Sequence, residues 1–172
     1  ARKQKNLKQF FFSSSSEVYA GTLQFGRLKI PTPEKSELIL PNLSKPRSSY
    51  MLSKIYGEAL CALSGLPFTI IRPHNVYGPN MGLRHVIPQL LEKAYNSKNS
   101  NLEVYSPSHT RTFCYISDAI HMIFNLMQNS DSVGEIINLG NERTEISIKK
   151  LANLILKITK KKLYIKEMEY TE

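Results

Sequence analysis

Tyr50 and Lys54 stand four positions apart in Tyr50-Met51-Leu52-Ser53-Lys54. At that spacing on a helix two side chains share a face. An ammonium beside a phenol favours the phenolate. Such a tyrosine can take a proton from an alcohol, or return one, while a hydride acceptor held beside it exchanges the hydride. Ser15, at the end of a separate apolar run, offers a hydroxyl able to hydrogen-bond the same reacting oxygen. Alone, Tyr and Lys at this spacing are common on helix surfaces, so the meaning of the pair depends on the elements around it.

Those elements read as a succession of strands and helices. Lys8 to Ser13 is a short apolar run closing in small polar residues, the pattern of a buried parallel strand. Ala20 to Pro46 carries Gly21, Gly26, Pro31, Pro33, Pro41 and Pro46 and reads as irregular. A loop of that length in a compact domain is usually functional. Tyr50 to Ser64 predicts a helix, with Ile55, Ala59, Leu60 and Leu63 at helical spacing and Gly65 as its C-cap. Phe68 to Arg72 is a second buried strand, closed by Pro73. Strand, loop, helix, strand is the order of a right-handed crossover unit in a parallel sheet.

Beyond Pro79 the pattern changes. Helices are expected over Val86 to Tyr95, over Asp118 to Gln128 with Ser117 or Asp118 near the cap, and over Ser147 to Lys161. The last is amphipathic, with Ile148, Leu151, Leu154, Ile155 and Ile158 on one face. Strands are expected over Leu102 to Tyr105, Arg111 to Ile116, Glu135 to Leu139 (ending at Gly140) and Lys162 to Glu167. The fold class is therefore α/β. The last part of a doubly wound sheet occupies 1–79 and a small mixed α/β cap occupies 80–172, with the boundary near Gly78-Pro79.

Composition narrows the setting. The chain of 172 residues suffices for one modest domain. No apolar run approaches the width of a bilayer, so no membrane span is expected. The two cysteines, Cys61 and Cys114, form no CxxC motif and suggest no metal site. They read as buried thiols in a reducing, cytoplasmic setting. The net charge of +9 raises the question of nucleic acid. Its sources, Arg2 to Lys8 and Lys157 to Lys166, lack the interleaved aromatics of a stacking platform and read as solvated helix faces. Interior arginines remain available to attract a dianionic ligand. With neither an initiator Met nor a signal sequence, the chain reads as beginning in mid-protein.

Ser14-Ser15-Ser16-Glu17-Val18-Tyr19, then Ser48-Ser49-Tyr50 with Ser53-Lys54 and Gly57-Glu58, then Arg72-Pro73-His74-Asn75-Val76-Tyr77-Gly78-Pro79 occur in that order. This series resembles the NAD-dependent nucleotide-sugar epimerase/dehydratase family of extended short-chain dehydrogenases. Its members read roughly SSSEVYG, SxYxxSKxxxE and RxxNVYGP. Arg111-Thr112-Phe113 with Asp118, and Ile137-Asn138-Leu139-Gly140, resemble two further family segments. The likeness runs from about Phe10 to about Leu156.

The resemblance implies the C-terminal part of a Rossmann sheet followed by a substrate-binding cap. It assigns Ser15, Tyr50, Lys54 and Glu17 to catalysis, with Tyr50 and Lys54 also on the nicotinamide ribose. Pro73 and His74 match backbone contacts near the nicotinamide. Asn75 and Arg111 match groups that hold the sugar nucleotide, and Val86, Ile87 and Tyr105 match the wall around its base. Asn75 reads equally as a turn residue, and Asp118 reads better as a helix N-cap. The implied cofactor is NAD, with NADP not excluded, and the implied full-length protein is a homodimer. The family's GxxGxxG turn, which cradles the pyrophosphate, does not occur; on the family's plan it would precede Ala1. The piece alone is therefore expected to be inactive.

Within the family, 4,6-dehydratases carry an Asp-Glu pair where this chain has Ser16-Glu17, which disfavours dehydration. Thr-Ser-Glu marks glucuronate-nucleotide decarboxylases and is close to Ser15-Ser16-Glu17. Many epimerases read SSSEVYG. Epimerase is the first expectation and decarboxylase the second. Two other classes stand beside them: a catalytically silent dinucleotide-binding sensor or scaffold, against which the retained Tyr50 and Lys54 argue, and a nucleic-acid binder resting on charge alone.

Overall fold

The computed structural model describes residues 4–98 and 100–169. Ala1 to Lys3, part of the basic start, lie outside the described residues. In chain order the elements are β1 (Phe10–Ser13), α1 (Ala20–Gln24), α2 (Ser48–Ala62), β2 (Phe68–Pro73), β3 (Val76–Tyr77) and α3 (Val86–Asn96). They continue with β4 (Asn101–Tyr105), β5 (Thr110–Arg111), β6 (Cys114–Tyr115), α4 (Ile116–Gln128), β7 (Ile136–Leu139), β8 (Ile146–Ser147), α5 (Ile148–Thr159) and β9 (Tyr164–Met168). Short 3-10 turns occupy Ser16–Tyr19 and Ser130–Ser132.

Contacts divide the chain into two units. The first runs through Val76 and resumes over Ile116–Gly140; the second comprises Tyr77–Tyr115 and the chain from Asn141 onward. The sequence suggested one boundary near Gly78-Pro79, whereas the chain returns at Ile116. It does so because β7 is hydrogen-bonded beside β2, a long-range pairing that local patterns do not announce.

In the first unit β1, β2 and β7 form a parallel sheet with β2 in the middle. Phe12 is level with Ile70, and Ile70 with Ile136. Thr69, Ile70, Ile71 and Arg72 of the central strand are buried. Helix α2 lies close over β1: a Cβ added at Gly57 would overlap the Phe12 ring. Its buried side consists of Ser48, Met51, Glu58 and Cys61, while Leu60 and Leu63 are exposed. The apolar spacing suggested the opposite face. Glu58 turns inward because Arg72 and Ser14 bind its carboxylate. The helix is capped at Leu63, and Gly65 takes a left-handed φ of +69° just beyond it.

The segment expected to be irregular from Ala20 begins with a short helix, α1, and is irregular from there to Pro46. It is nonetheless pinned down. Thr22 Oγ1 donates to the Glu37 carbonyl and accepts from Ile39 N. At Gly21 the backbone of Ile39 comes so near that any side chain would overlap its carbonyl. On the return, α4 starts at Ile116, so Ser117 and Asp118 lie within its first turn instead of capping it. Strand β6 runs straight into the helix, and an acidic residue there complements the helix dipole.

The second unit has an apolar interior. Leu90 and Ala94 of α3, Leu102 and Val104 of β4, and Ile148, Leu151, Ala152, Ile155 and Leu156 of α5 form one cluster. Strands β4 and β9 pair in parallel, with Leu102 opposite Ile165. The buried stripe of α5 takes in Ala152 and Leu156 and leaves Leu154 and Ile158 exposed, a rotation of the expected face. Ser147 Oγ caps α5 by accepting from Lys150 N, and Lys160 ends it at φ 55°. The strand expected over Arg111 to Ile116 is split into β5 and β6. Thr110 and Arg111 pair with Ser147 and Ile146, whereas the Phe113 carbonyl accepts the Thr144 hydroxyl instead of continuing the ladder.

Among the described residues the basic runs are not confined to helix faces as the sequence suggested. Lys5 and Lys8 lie in a turn and an irregular stretch, and Lys157 to Lys166 extends from α5 into β9. Among the described residues no helix is long and apolar enough to cross a membrane, and no metal-holding group of His, Cys, Asp and Glu occurs.

Candidate functional site

The C-terminal ends of β1, β2 and β7 lie side by side, with Ser13 level with Ile71 and Pro73 level with Leu139. In open parallel sheets this is the edge at which ligands bind. Three consecutive serines follow β1 and do three different things. Ser14 is buried and donates to Glu58 Oε1 at 2.5 Å. Ser15 caps the 3-10 turn, its Oγ accepting from Glu17 N at 3.2 Å. Ser16 Oγ lies 3.0 Å from His74 Nδ1.

Tyr50 sits in the first turn of α2 and is 42% exposed. One helical turn on, Lys54 Nζ lies 5.5 Å from the centre of its ring and donates to the Ser13 carbonyl at 2.8 Å. The lysine thereby ties the helix to the end of β1. A second cation, not singled out from the sequence, stands on the same ring: the Arg47 guanidinium, 5.6 Å from its centre. Arg47 also forks onto Glu17, with Nη2 3.0 Å from Oε1 and Nε 3.3 Å from Oε2. Ser15, Glu17, Tyr50 and Lys54 thus belong to one short stretch of the strand edge and the helix start that faces it.

Beneath this edge lies a buried polar clamp. Arg72 binds both oxygens of Glu58, through Nε at 2.8 Å and Nη2 at 2.6 Å. Its Nη1 donates to Tyr19 Oη and to the Glu34 carbonyl. Burial alone would lower the arginine pKa. The hydrogen bonds to Glu58 and Tyr19, together with the Glu58 charge, outweigh it and hold the guanidinium above its ordinary value. Tyr19 Oη donates to Asn138 Oδ1, Asn138 Nδ2 donates to the Thr32 carbonyl, and Asn138 N donates to Glu34 Oε1. The irregular segment before α2 is therefore fastened to the ends of β2 and β7.

Pro73 closes β2, and His74 follows it. The Asn75 amide nitrogen lies 2.9 Å from His74 Nε2. With that amide donating, the neutral imidazole carries its proton on Nδ1 and donates it to Ser16 Oγ. Asn75 adopts a left-handed φ of 44°, as a turn residue does. The remaining candidates belong to the second unit. Val86 and Ile87 open α3 and pack against the apolar cluster. Tyr105 ends β4 with Lys93 Nζ 5.0 Å from its ring centre, and exposed Arg111 on β5 donates to the Thr110 carbonyl.

The sequence does not announce Tyr19, Glu58, Arg72 and Asn138 as one clamp, nor Arg47 as the partner of Glu17 and the Tyr50 ring. Glu58 and Arg72 were visible as motif letters, and their charge in otherwise buried elements was the available signal.

A family model described as the NAD dependent epimerase/dehydratase family matches residues 1–140. A UDP-N-acetyl-alpha-D-glucosaminuronate decarboxylase from Bacillus cytotoxicus is 37% identical over 162 residues, covering 90% of this chain and 47% of its own length. Among solved structures, UDP-glucuronic acid 4-epimerase from Bacillus cereus, in complex with UDP-glucuronic acid and NAD, is similar with a TM-score of 0.72 and 27% identity. That match covers 95% of this chain and 49% of the epimerase. RMD from Pseudomonas aeruginosa complexed with NADPH superimposes with a TM-score of 0.74 and 25% identity, covering 95% of this chain and 54% of that one. The chain spans about half the length of the relatives it matches. Its parallel sheet and helices are those of the C-terminal part of a Rossmann-type domain.

Proposed function

The chain belongs to the NAD-dependent epimerase/dehydratase family, and from that premise we propose that its first unit performs proton transfer in the oxidation of a nucleotide-linked uronic acid. The observation that supports this reading is Tyr50 with Lys54 against its ring and Lys54 anchored on Ser13 O at the sheet's C-terminal edge. Tyr50 accepts the proton of a sugar hydroxyl as its carbon gives up a hydride, and returns the proton when the carbonyl is reduced. Ser15 hydrogen-bonds the same oxygen. Lys54 stands over the Tyr50 ring and ties the helix that carries it to the end of β1.

NAD, when bound, supplies the hydride acceptor. The donor set suits its nicotinamide end: an ammonium has three N–H donors, and the Ser13 carbonyl engages one. That leaves donors for a ribose diol, while Pro73 and His74 offer backbone alongside. The sequence contains no GxxGxxG turn, so these residues do not include that cradle for the pyrophosphate. By likeness, Asn75 and Arg111 hold the sugar nucleotide, and Val86, Ile87 and Tyr105 its base.

Loss of the carboxylate as carbon dioxide after oxidation is the outcome we favour, on the strength of the decarboxylase relative. Epimerisation is the second reading, supported by the 4-epimerase structure that holds UDP-glucuronic acid. Both relatives' names specify a carboxylated sugar, and that shared feature sets the proposed substrate class. The test uses the complete protein carrying this sequence and a panel of nucleotide-linked uronates and neutral sugars. Tyr50→Phe should lower turnover about a hundred- to ten-thousand-fold with substrate affinity nearly intact. Release of carbon dioxide identifies the decarboxylase, and a new diastereomer of equal mass identifies the epimerase. Wild-type turnover by Tyr50→Phe would remove the tyrosine from the mechanism.

A further inference from the structure

Arg47 sits where local rules ask for a different residue. It is the residue before the first turn of α2, with φ 72° and ψ −5°. Glycine, or a short Asn or Asp, adopts that left-handed conformation most readily. The same position is a helix N-cap, where Ser, Thr, Asp or Asn would satisfy a free backbone N–H; Arg47 makes no side-chain cap bond. Two local preferences are thus set aside at one residue. In natural proteins such exceptions gather at functional sites, where the surroundings hold the strained conformation.

The side chain shows what the exception achieves. Both guanidinium contacts reach candidate catalytic groups. One edge forks onto the Glu17 carboxylate, and the charged carbon lies 5.6 Å from the Tyr50 ring centre, within reach of a cation–π contact. Glu17 belongs to the turn that Ser15 caps. A single side chain therefore spans from the segment carrying Ser15 and Glu17 to the helix start carrying Tyr50. Lys54 makes the parallel connection from the other side, from the same ring to the Ser13 carbonyl. The ring is braced by two cations, each fastened to a different point of the chain between Ser13 and Glu17. A surface ion pair by itself adds little to stability, so stability does not explain a strained arginine here.

We propose that Arg47 is a positioning residue that fixes the Tyr50 ring and the Glu17 carboxylate relative to one another. This rests on the reading of Tyr50 as the proton-transfer group. Nothing in Arg47's role requires it to touch substrate. Its effect is to narrow the range of Tyr50 orientations, and misplacement of a reacting group by about 1 Å can lower a rate roughly a hundredfold.

The backbone strain supplies an unusually clean variant. Arg47→Gly removes the guanidinium while giving the φ of 72° to the residue that tolerates it best, so folding is spared. In the complete protein, with the fastest uronate of the panel, Arg47→Gly should lower kcat roughly ten- to a hundredfold with little change in KM. Its thermal midpoint should stay at or above that of wild type. Arg47→Lys, which keeps the charge but loses the fork, should recover only part of the rate. Combined with Glu17→Gln, Arg47→Gly should add less than the loss it causes alone, because part of its effect runs through the Glu17 carboxylate. Wild-type kcat in Arg47→Gly, or a loss that merely tracks a lower thermal midpoint, overturns the proposal. Tyr50→Phe separates the two levels. If it too keeps full turnover, or if no panel member is turned over at all, the functional reading fails and this inference falls with it. If Tyr50→Phe loses turnover while Arg47→Gly keeps wild-type kcat, only the inference fails.

Discussion

In the middle of the first unit lies a guanidinium, Arg72, 2% exposed, gripped by a carboxylate, Glu58, 6% exposed. The middle of the second is filled by Leu102, Val104 and Ala152, none more than 1% exposed. Apolar packing stabilises without strong direction, because dispersion and the hydrophobic effect reward contact and area. Buried hydrogen bonds and ion pairs are directional and contribute less net stability, since each charge must first leave water. The first unit accepts that weaker bargain directly beneath the edge where Ser15 follows β1 and the start of α2 carries Tyr50 and Lys54. Glu58 takes bonds from Ser14 and Arg72 together, which fixes how β1, α2 and β2 meet. The side chains on these elements inherit that fixed geometry.

The strongest way to break the comparison is to remove one partner of the clamp. Glu58→Ala leaves the Arg72 charge buried without its carboxylate and should destabilise the protein by about 3–5 kcal/mol in urea denaturation. Replacing both partners by apolar residues of similar volume, Glu58→Leu with Arg72→Met, should restore most of that loss and leave turnover depressed. Full recovery of turnover in the double variant would show that the clamp does not orient the site.

A change of intermediate size tests the other interior. Ile155→Val removes one methylene from the α5 stripe and should cost roughly 0.5–1.5 kcal/mol, because only packing is lost and no charge is stranded. A urea midpoint unmoved by this change would mean that the second unit is not held by this cluster.

The smallest effect concerns Cys61, which lies on the buried side of α2 near the clamp. Burial, and after it the Glu58 charge, push its thiol above the ordinary value of 9.0. In the unfolded chain the thiol ionises near that value, whereas in the folded chain it stays protonated to higher pH. Its contribution to stability is complete below pH 9.0 and declines as pH rises toward the folded-state value. Urea midpoints measured from about pH 8 to about pH 10 should fall more steeply in wild type than in Cys61→Ala. Parallel slopes would show that burial does not perturb the thiol.

Part of the geometry of the candidate site was legible in the sequence. Tyr50 and Lys54 could be placed on one helical face because four residues make about one turn, and the structure does place the ammonium against the ring. The strand at Phe68 and the helix at Val86 could be read from apolar period and Pro or Gly punctuation. The orientation of α2 could not. Its apolar letters suggested burial of Leu60 and Leu63, and a buried carboxylate turned the helix the other way. Arg47 was passed over because nothing in its neighbours marks it; its left-handed φ and its fork onto Glu17 exist only in the folded chain.

The sequence by itself determined the order of the motifs, the type of most elements and the pairing of a phenol with an ammonium. Each follows from periods of a few residues or from the chemistry of single side chains. Tertiary structure alone decided which of three adjacent serines is buried on Glu58, which caps a turn and which meets His74. It also decided that the chain returns at Ile116 to complete the first unit's sheet. The physical reason is separation along the chain: Ser14 and Glu58 are 44 residues apart, and Tyr19 and Asn138 are 119 apart. Hydrogen bonds over such distances form only after β1, β2 and β7 have come into register, and no local pattern encodes that register.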